Sequence, residues 1–110
     1  MRGTSQNVVG PIREAIARRL AHGHPAIRDV ASTVGLNVRT LQRRLAKAGV
    51  IYSQLVDEVR LRTAIRLLED RDLKLAKIAS ALGYSDPAHF TRAFVRWTGM
   101  TPRTYRQRGK

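Results

Sequence analysis

Arg39, Gln42 and Arg43 stand within five residues of one another, and Ala88, His89, Thr91 and Arg92 form a second group of the same span. A guanidinium fork pairs in two-point fashion with the O6 and N7 atoms of guanine, and a glutamine amide does the same with the edge of adenine. Small and hydroxyl side chains suit thymine methyls and phosphates. Both groups therefore carry the chemistry of base-edge readout in duplex DNA. A catalytic grouping is not expected beside them. His22 and His24 share one loop while His89 lies far away, and cysteine is absent. Disulfides, thiolate nucleophiles and cysteine zinc sites are thereby excluded, and no metal or cofactor is expected.

Charge points the same way. The 110 residues carry 21 basic and 8 acidic side chains, a net charge of +13, well beyond what solubility requires. Seventeen of the basic residues are arginine, the side chain suited to phosphate and guanine. Arginine enrichment also follows from GC-rich coding, so composition alone leaves the partner open. The distribution says more. Residues 1–50 carry +7, residues 51–72 carry −1 and residues 73–110 carry +7. Duplication of one basic unit would produce the same partition.

The elements that position these residues are helical. Val9, Ile12, Ile16 and Leu20 predict a first helix with Pro11 near its first turn, ended by His22-Gly23-His24-Pro25. Ile27, Val30, Ala31 and Val34 predict a short second helix stopped at Gly35. Asn37 caps a third, which carries Leu41 and Leu45 and ends near Gly49. A longer segment from about Ser53 to Glu69 has Leu55, Val59, Leu61, Ala64, Ile65 and Leu68 on its apolar side. Leu75, Ile78, Ala79 and Leu82 form a fifth helix before Gly83. Asp86 followed by Pro87 starts a sixth with Phe90, Phe94 and Trp97, and Pro102 opens a last short helix through Tyr105. No segment alternates as a strand does. The expected fold is all-α, with about seven helices.

The chain also repeats. Val30-Ala31-Ser32 through Gly35 matches Ile78-Ala79-Ser80 through Gly83 at a shift of 48; after the turn Leu41, Arg43 and Leu45 pair with Phe90, Arg92 and Phe94 at a shift of 49. Each unit is a helix, a glycine turn expected to need positive φ at Gly83, and a capped second helix. That is a helix-turn-helix. With Leu41 and Leu45 inward, Arg39, Gln42 and Arg43 face out, with Val38 beside them. With Phe90 and Phe94 inward, Ala88, His89, Thr91 and Arg92 face the groove, Arg92 being the leading base reader. For His89 a hydrogen bond, a phosphate contact and a plain surface role stay open. Thr40, Arg44, Lys47, Lys77, Arg96 and Arg103 are candidate phosphate contacts, helped by backbone N–H groups at the helix N-termini. Arg96 has a second reading, as a brace against the connector helix. Asp86 is read as a cap, and Trp97 and Tyr105 as core.

The run from Ile78 to Phe94, continuing through Arg96-Trp97, Gly99-Met100-Thr101-Pro102 and Tyr105-Arg106, resembles the second unit of AraC/XylS-type transcription regulators. Val30-Ala31 through Gly35, Leu41-Gln42-Arg43, Leu45, and Arg60-Leu61 with Ala64, Leu67 and Leu68 resemble the family's first unit and connector. The resemblance covers about residues 8–108. It implies two helix-turn-helix subdomains joined by a long connector helix, with two recognition helices directed at successive major-groove segments. It places base readers at Arg39, Gln42, Arg43, Ala88, His89, Thr91 and Arg92. Pro87 and Ala88 supply no side-chain hydrogen bond, so the second unit is expected to read fewer bases and to lean on phosphates and shape.

The expected organisation is one bipartite DNA-binding domain: residues 1–50 as first helix and first helix-turn-helix, 51–72 as connector, and 73–110 as second helix-turn-helix and last helix. Such domains usually follow a sensing or dimerising domain, and the neighbourhoods Gly49–Arg60 and Arg96–Gly99 favour a fragment of a longer regulator over a stand-alone protein. An effector would bind that missing domain, and RNA polymerase would be a partner of an activator. No signal peptide or membrane span is visible, so the expected location is cytoplasmic. The competing reading is a non-specific or architectural nucleic-acid binder, against which the unequal reader sets argue. Some DNA-alkylation repair enzymes carry a related helical module, but their reactive cysteine has no counterpart here.

Overall fold

In a computed structural model, which describes residues 3–108, seven α-helices follow one another and no strand occurs among the described residues. They are α1 (Gly3–Arg19), α2 (Ile27–Thr33), α3 (Val38–Lys47), α4 (Tyr52–Leu68), α5 (Leu75–Ala81), α6 (Pro87–Thr98) and α7 (Pro102–Arg108). A single 3-10 turn, Leu20–His22, follows α1. The all-α reading and the seven helices hold.

The helices gather into two compact units whose division falls within α4, between Val59 and Arg60. The first contains α1, α2, α3 and the start of α4. Its core is built on Ile12, Ile16, Val30, Leu41, Leu55 and Val56, none more than 1% exposed. The second contains the 3-10 turn, the rest of α4, and α5 to α7. There Leu20, Leu68, Ile78, Leu82, Phe90 and Phe94 are buried. Phe94 is the hub of its ring cluster, with Phe90, Trp97 and Tyr105 meeting it edge-on at 5.8, 6.5 and 5.4 Å. Trp97 and Tyr105 are half-buried against it, as their helical spacing implies.

The repeat in the sequence reappears as a repeat of hydrogen bonds. After α2, Leu36 N–H donates to Ala31 O at 2.9 Å and Gly35 N–H to Ser32 O at 3.1 Å. After α5, Tyr84 N–H donates to Ala79 O and Gly83 N–H to Ser80 O, both at 3.0 Å. Both are Schellman closures, which demand a left-handed residue at the glycine; φ is +76° at Gly35 and +90° at Gly83. The second turn holds one residue more before its cap, which accounts for the change of shift from 48 to 49. Asn37 Oδ1 then accepts from Thr40 N–H at 2.8 Å to start α3, and Asp86 Oδ1 accepts from Ala88 N–H at 2.9 Å to start α6.

Three boundaries and one buried stripe differ from those the spacing suggests. Helix α1 begins at Gly3, so Pro11 lies inside it rather than in its first turn. The Pro11 ring is on the exposed side. Helix α1 gives way to the 3-10 turn at Leu20, and α7 runs three residues past Tyr105. Along α4 the buried positions are Leu55, Val56, Val59, Ala64 and Leu68, while Leu61 and Ile65 are half-exposed. A single stripe does not describe this helix because its two ends belong to different cores.

Candidate nucleic-acid interface

Helix α3 follows the tight turn at Gly35 and buries only Leu41 and Leu45. Apart from Val38, everything else on it is polar or small. Arg39, Gln42, Arg43, Arg44 and Lys47 are all exposed, and none of them forms a hydrogen bond or ion pair among the described residues. Arg43, Arg44 and Lys47, with Ala46, line an open depression on this face. Ten residues thus carry four free cations and no acid. Thr40 is half-buried, with its backbone N–H already held by Asn37. Val38 is half-buried at the same end.

Helix α6 buries Phe90, Ala93 and Phe94, leaving Pro87, Ala88, His89, Arg92, Val95 and Arg96 exposed and Thr91 half-buried. Arg92 and Arg96 make no hydrogen bond or ion pair among the described residues. Its first turn differs from the expectation that helix N-termini offer free N–H groups. Pro87 has none, Ala88 N–H is taken by the Asp86 carboxylate, and His89 N–H donates to Asp86 O at 3.0 Å. Lys77 on α5 and Arg103 on α7 are exposed and also unpartnered among the described residues.

A matching pair of capped helices behind glycine turns, each offering free arginines over an apolar seam, is the architecture of paired helix-turn-helix readers. A family model described as a helix-turn-helix domain matches residues 30–108. The chain belongs to the AraC-type helix-turn-helix family of transcription regulators. It is 40% identical over 105 residues to the Mycobacterium tuberculosis regulator VirS, covering 96% of this chain and 30% of VirS. A crystal structure of an AraC-type transcriptional regulator from Chromobacterium violaceum superposes with a TM-score of 0.78 at 25% identity, covering 96% of this chain and 94% of that one. The DNA-binding domain of AdpA, solved in complex with a target DNA, superposes at 0.66 with 27% identity over 88% of this chain and 90% of its own. The chain spans less than a third of the length of the first curated regulators it matches.

Within this AraC-type domain the arginines divide into two kinds, which sequence alone could not separate. Several brace the fold. Arg13 pairs with Glu58 at 2.8 Å, and Arg19 donates to Thr33 Oγ1 at 2.9 Å. The Arg60 guanidinium lies 5.3 Å from the centre of the Tyr84 ring. Arg106 sends Nε to Leu68 O at 3.0 Å and a terminal nitrogen to Asp70 O and Leu73 O at 3.0 and 2.9 Å. Arg106 was visible only as part of the family run; its role as a clamp on the end of α4 has no signal in local spacing. Arg39, Arg43 and Arg44 on α3, Arg92 and Arg96 on α6 and Arg103 on α7 form no such contact among the described residues. Tyr52, at the start of α4, donates its hydroxyl to Pro25 O at 2.7 Å. Burial, partly offset by Arg19 and reinforced by Asp29, pushes that hydroxyl up to about 12. No described helix is long and apolar enough to cross a membrane.

Proposed function

We propose that this domain binds specific double-stranded DNA sequences to control transcription, with α3 and α6 each entering a major-groove segment. The observation that carries the reading is the outer face of α3. Arg39, Gln42 and Arg43 sit free on a helix that is capped, preceded by a tight turn and anchored by only two leucines. Such a face has no structural task of its own, and its groups match guanine and adenine edges. Arg44 and Lys47 on α3, Lys77, Arg96 and Arg103 are assigned to phosphates, with Thr40 joining them through its hydroxyl. On α6, Arg92 is the principal base reader, with His89 and Thr91 beside it and Ala88 supplying apolar contact. A whole regulator carrying this domain would couple such occupancy to an effector bound elsewhere, and to RNA polymerase where it activates.

Selection from a random duplex library at physiological salt tests this. Two enriched blocks about one helical turn apart are expected, with the winner bound far more tightly than a scrambled duplex. Salt must be held fixed, because phosphate neutralisation makes affinity steeply salt-dependent. Tight, salt-sensitive binding to every duplex without enrichment overturns the reading in favour of an architectural protein.

A further inference from the structure

The two recognition helices do not offer the groove the same kind of first turn. In α3 the cap uses one N–H, that of Thr40, and Arg39 projects freely from the same turn. In α6 the first turn has no free backbone donor up to His89. Pro87 lacks an N–H, Ala88 N–H is held by Asp86 Oδ1, and His89 N–H is held by Asp86 O. Pro87 and Ala88 nonetheless are exposed, and they carry only carbon on their side chains. Flanking this small apolar face are His89 and Arg92, also exposed, and Arg96 one turn further on.

An uncharged face whose side chains carry no donor, set between the Asp86 cap and the cations Arg92 and Arg96, fits one feature of the major groove. Each base pair shows hydrogen-bonding groups there, but only thymine adds an apolar one, its C5 methyl. We infer that the Pro87–Ala88 face of α6 reads the C5 methyl of a pyrimidine, and that it does so without sensing that base's hydrogen-bonding pattern. The inference rests on the DNA-reading function proposed above and specifies what α6 recognises. It has a consequence that hydrogen-bond readout lacks. A 5-methylcytosine presents the same methyl at the same place, so this position prefers thymine or 5-methylcytosine to their unmethylated counterparts. The remaining Asp86 oxygen is an acceptor only, and it does not distinguish methylated from unmethylated pyrimidines.

The test starts from the duplex recovered by selection. Arg43→Ala identifies the block read by α3, because its preference relaxes there; the other block belongs to α6. Each pyrimidine of the α6 block is then replaced in turn by thymine, uracil, cytosine and 5-methylcytosine, with its proper partner base, and binding is measured at one salt concentration. At one position or two, thymine and 5-methylcytosine should bind alike, and uracil and cytosine about fourfold more weakly, the effect of one buried methyl group. Ala88→Gly should bring the thymine-to-uracil ratio at that position to about one, while a thermal melt reports that the fold persists. Equal binding of thymine and uracil throughout the block overturns the inference, and so does thymine binding well where 5-methylcytosine does not. Recovery of a single block, read by α3 alone, overturns it as well. Absence of any enriched motif is a different failure, since it removes the sequence-specific function itself.

Discussion

The carbonyl oxygen of Leu20 occupies the space into which a β-carbon on Gly83 would project. Gly23 lies 3.1 Å from the same point, so the obstruction is backbone on both sides. Gly35, its counterpart in the other unit, has open space around it. Both glycines adopt positive φ, but only Gly83 is also a point of close approach. Gly35→Ala should therefore cost only the left-handed penalty, about 1–2 kcal/mol. Gly83→Ala adds a displacement of packed backbone and should cost about 3 kcal/mol or more. Denaturant unfolding of the two variants side by side checks this, and equal midpoints would show that turn conformation alone is at stake.

Arg43 and Lys47 lie one turn apart on the same free face of α3 and should fail differently. Arg43→Ala should cost about 1–3 kcal/mol on the selected duplex and relax preference at one base position. Lys47→Ala should weaken all duplexes nearly uniformly and lower the salt slope by about one. Binding isotherms on selected and scrambled DNA at several salt concentrations separate the two. If Arg43→Ala weakens both duplexes equally, Arg43 is a phosphate contact and its assignment fails.

Much of this fold was legible in the chain because its punctuation is chemical. Asn37 and Asp86 cap where their side chains allow, and the glycines at 35, 49, 83 and 99 all take the positive φ that a helix stop needs. What escaped was whatever depends on tertiary neighbours. Proline at a first helical turn and proline on the outer side of a longer helix look alike in sequence, and Pro11 is the latter. The reader face of α3 followed from Leu41 and Leu45 alone. The sorting of arginines did not, because Arg103 and Arg106 are the same residue type three positions apart. One is free and the other clamps three carbonyls.

Tyr52 gives the first unit a pH-dependent contribution at the alkaline end. Its hydroxyl donates to Pro25 O, and burial holds the proton on to about pH 12 instead of the ordinary 10. Above pH 10 the unfolded chain releases this proton while the folded chain keeps it, so unfolding is favoured as pH rises. The contribution is fully present below about pH 10 and is lost progressively between about 10 and 12. Tyr52→Phe should lose about 1 kcal/mol at neutral pH, the net value of one hydrogen bond. Its deficit relative to the native chain should shrink over that alkaline window. A deficit that stays constant from pH 8 to 12 would mean that the hydroxyl titrates alike in both states.

Arg103 and Arg106 allow the binding surface and the scaffold to be tested on one short helix. Arg106 is half-buried, and its fork donates to Leu68 O, among the last carbonyls of α4, and to Asp70 O and Leu73 O in the loop that follows. Its positive charge also lies at the negative end of that helix. Arg106→Ala should cost about 2–3 kcal/mol of stability, since the lost bonds come from a charged donor. Arg106→Lys should restore little, because a single ammonium cannot span what a planar fork spans. Arg103 is exposed and holds nothing in place among the described residues. Arg103→Ala should leave stability within about 0.5 kcal/mol while reducing the salt slope of DNA binding by about one. Melting curves and salt titrations on all three variants would reveal the division. If Arg106→Ala melts like the native domain but binds DNA with a reduced salt slope, the clamp is incidental and Arg106 belongs to the phosphate-contacting set.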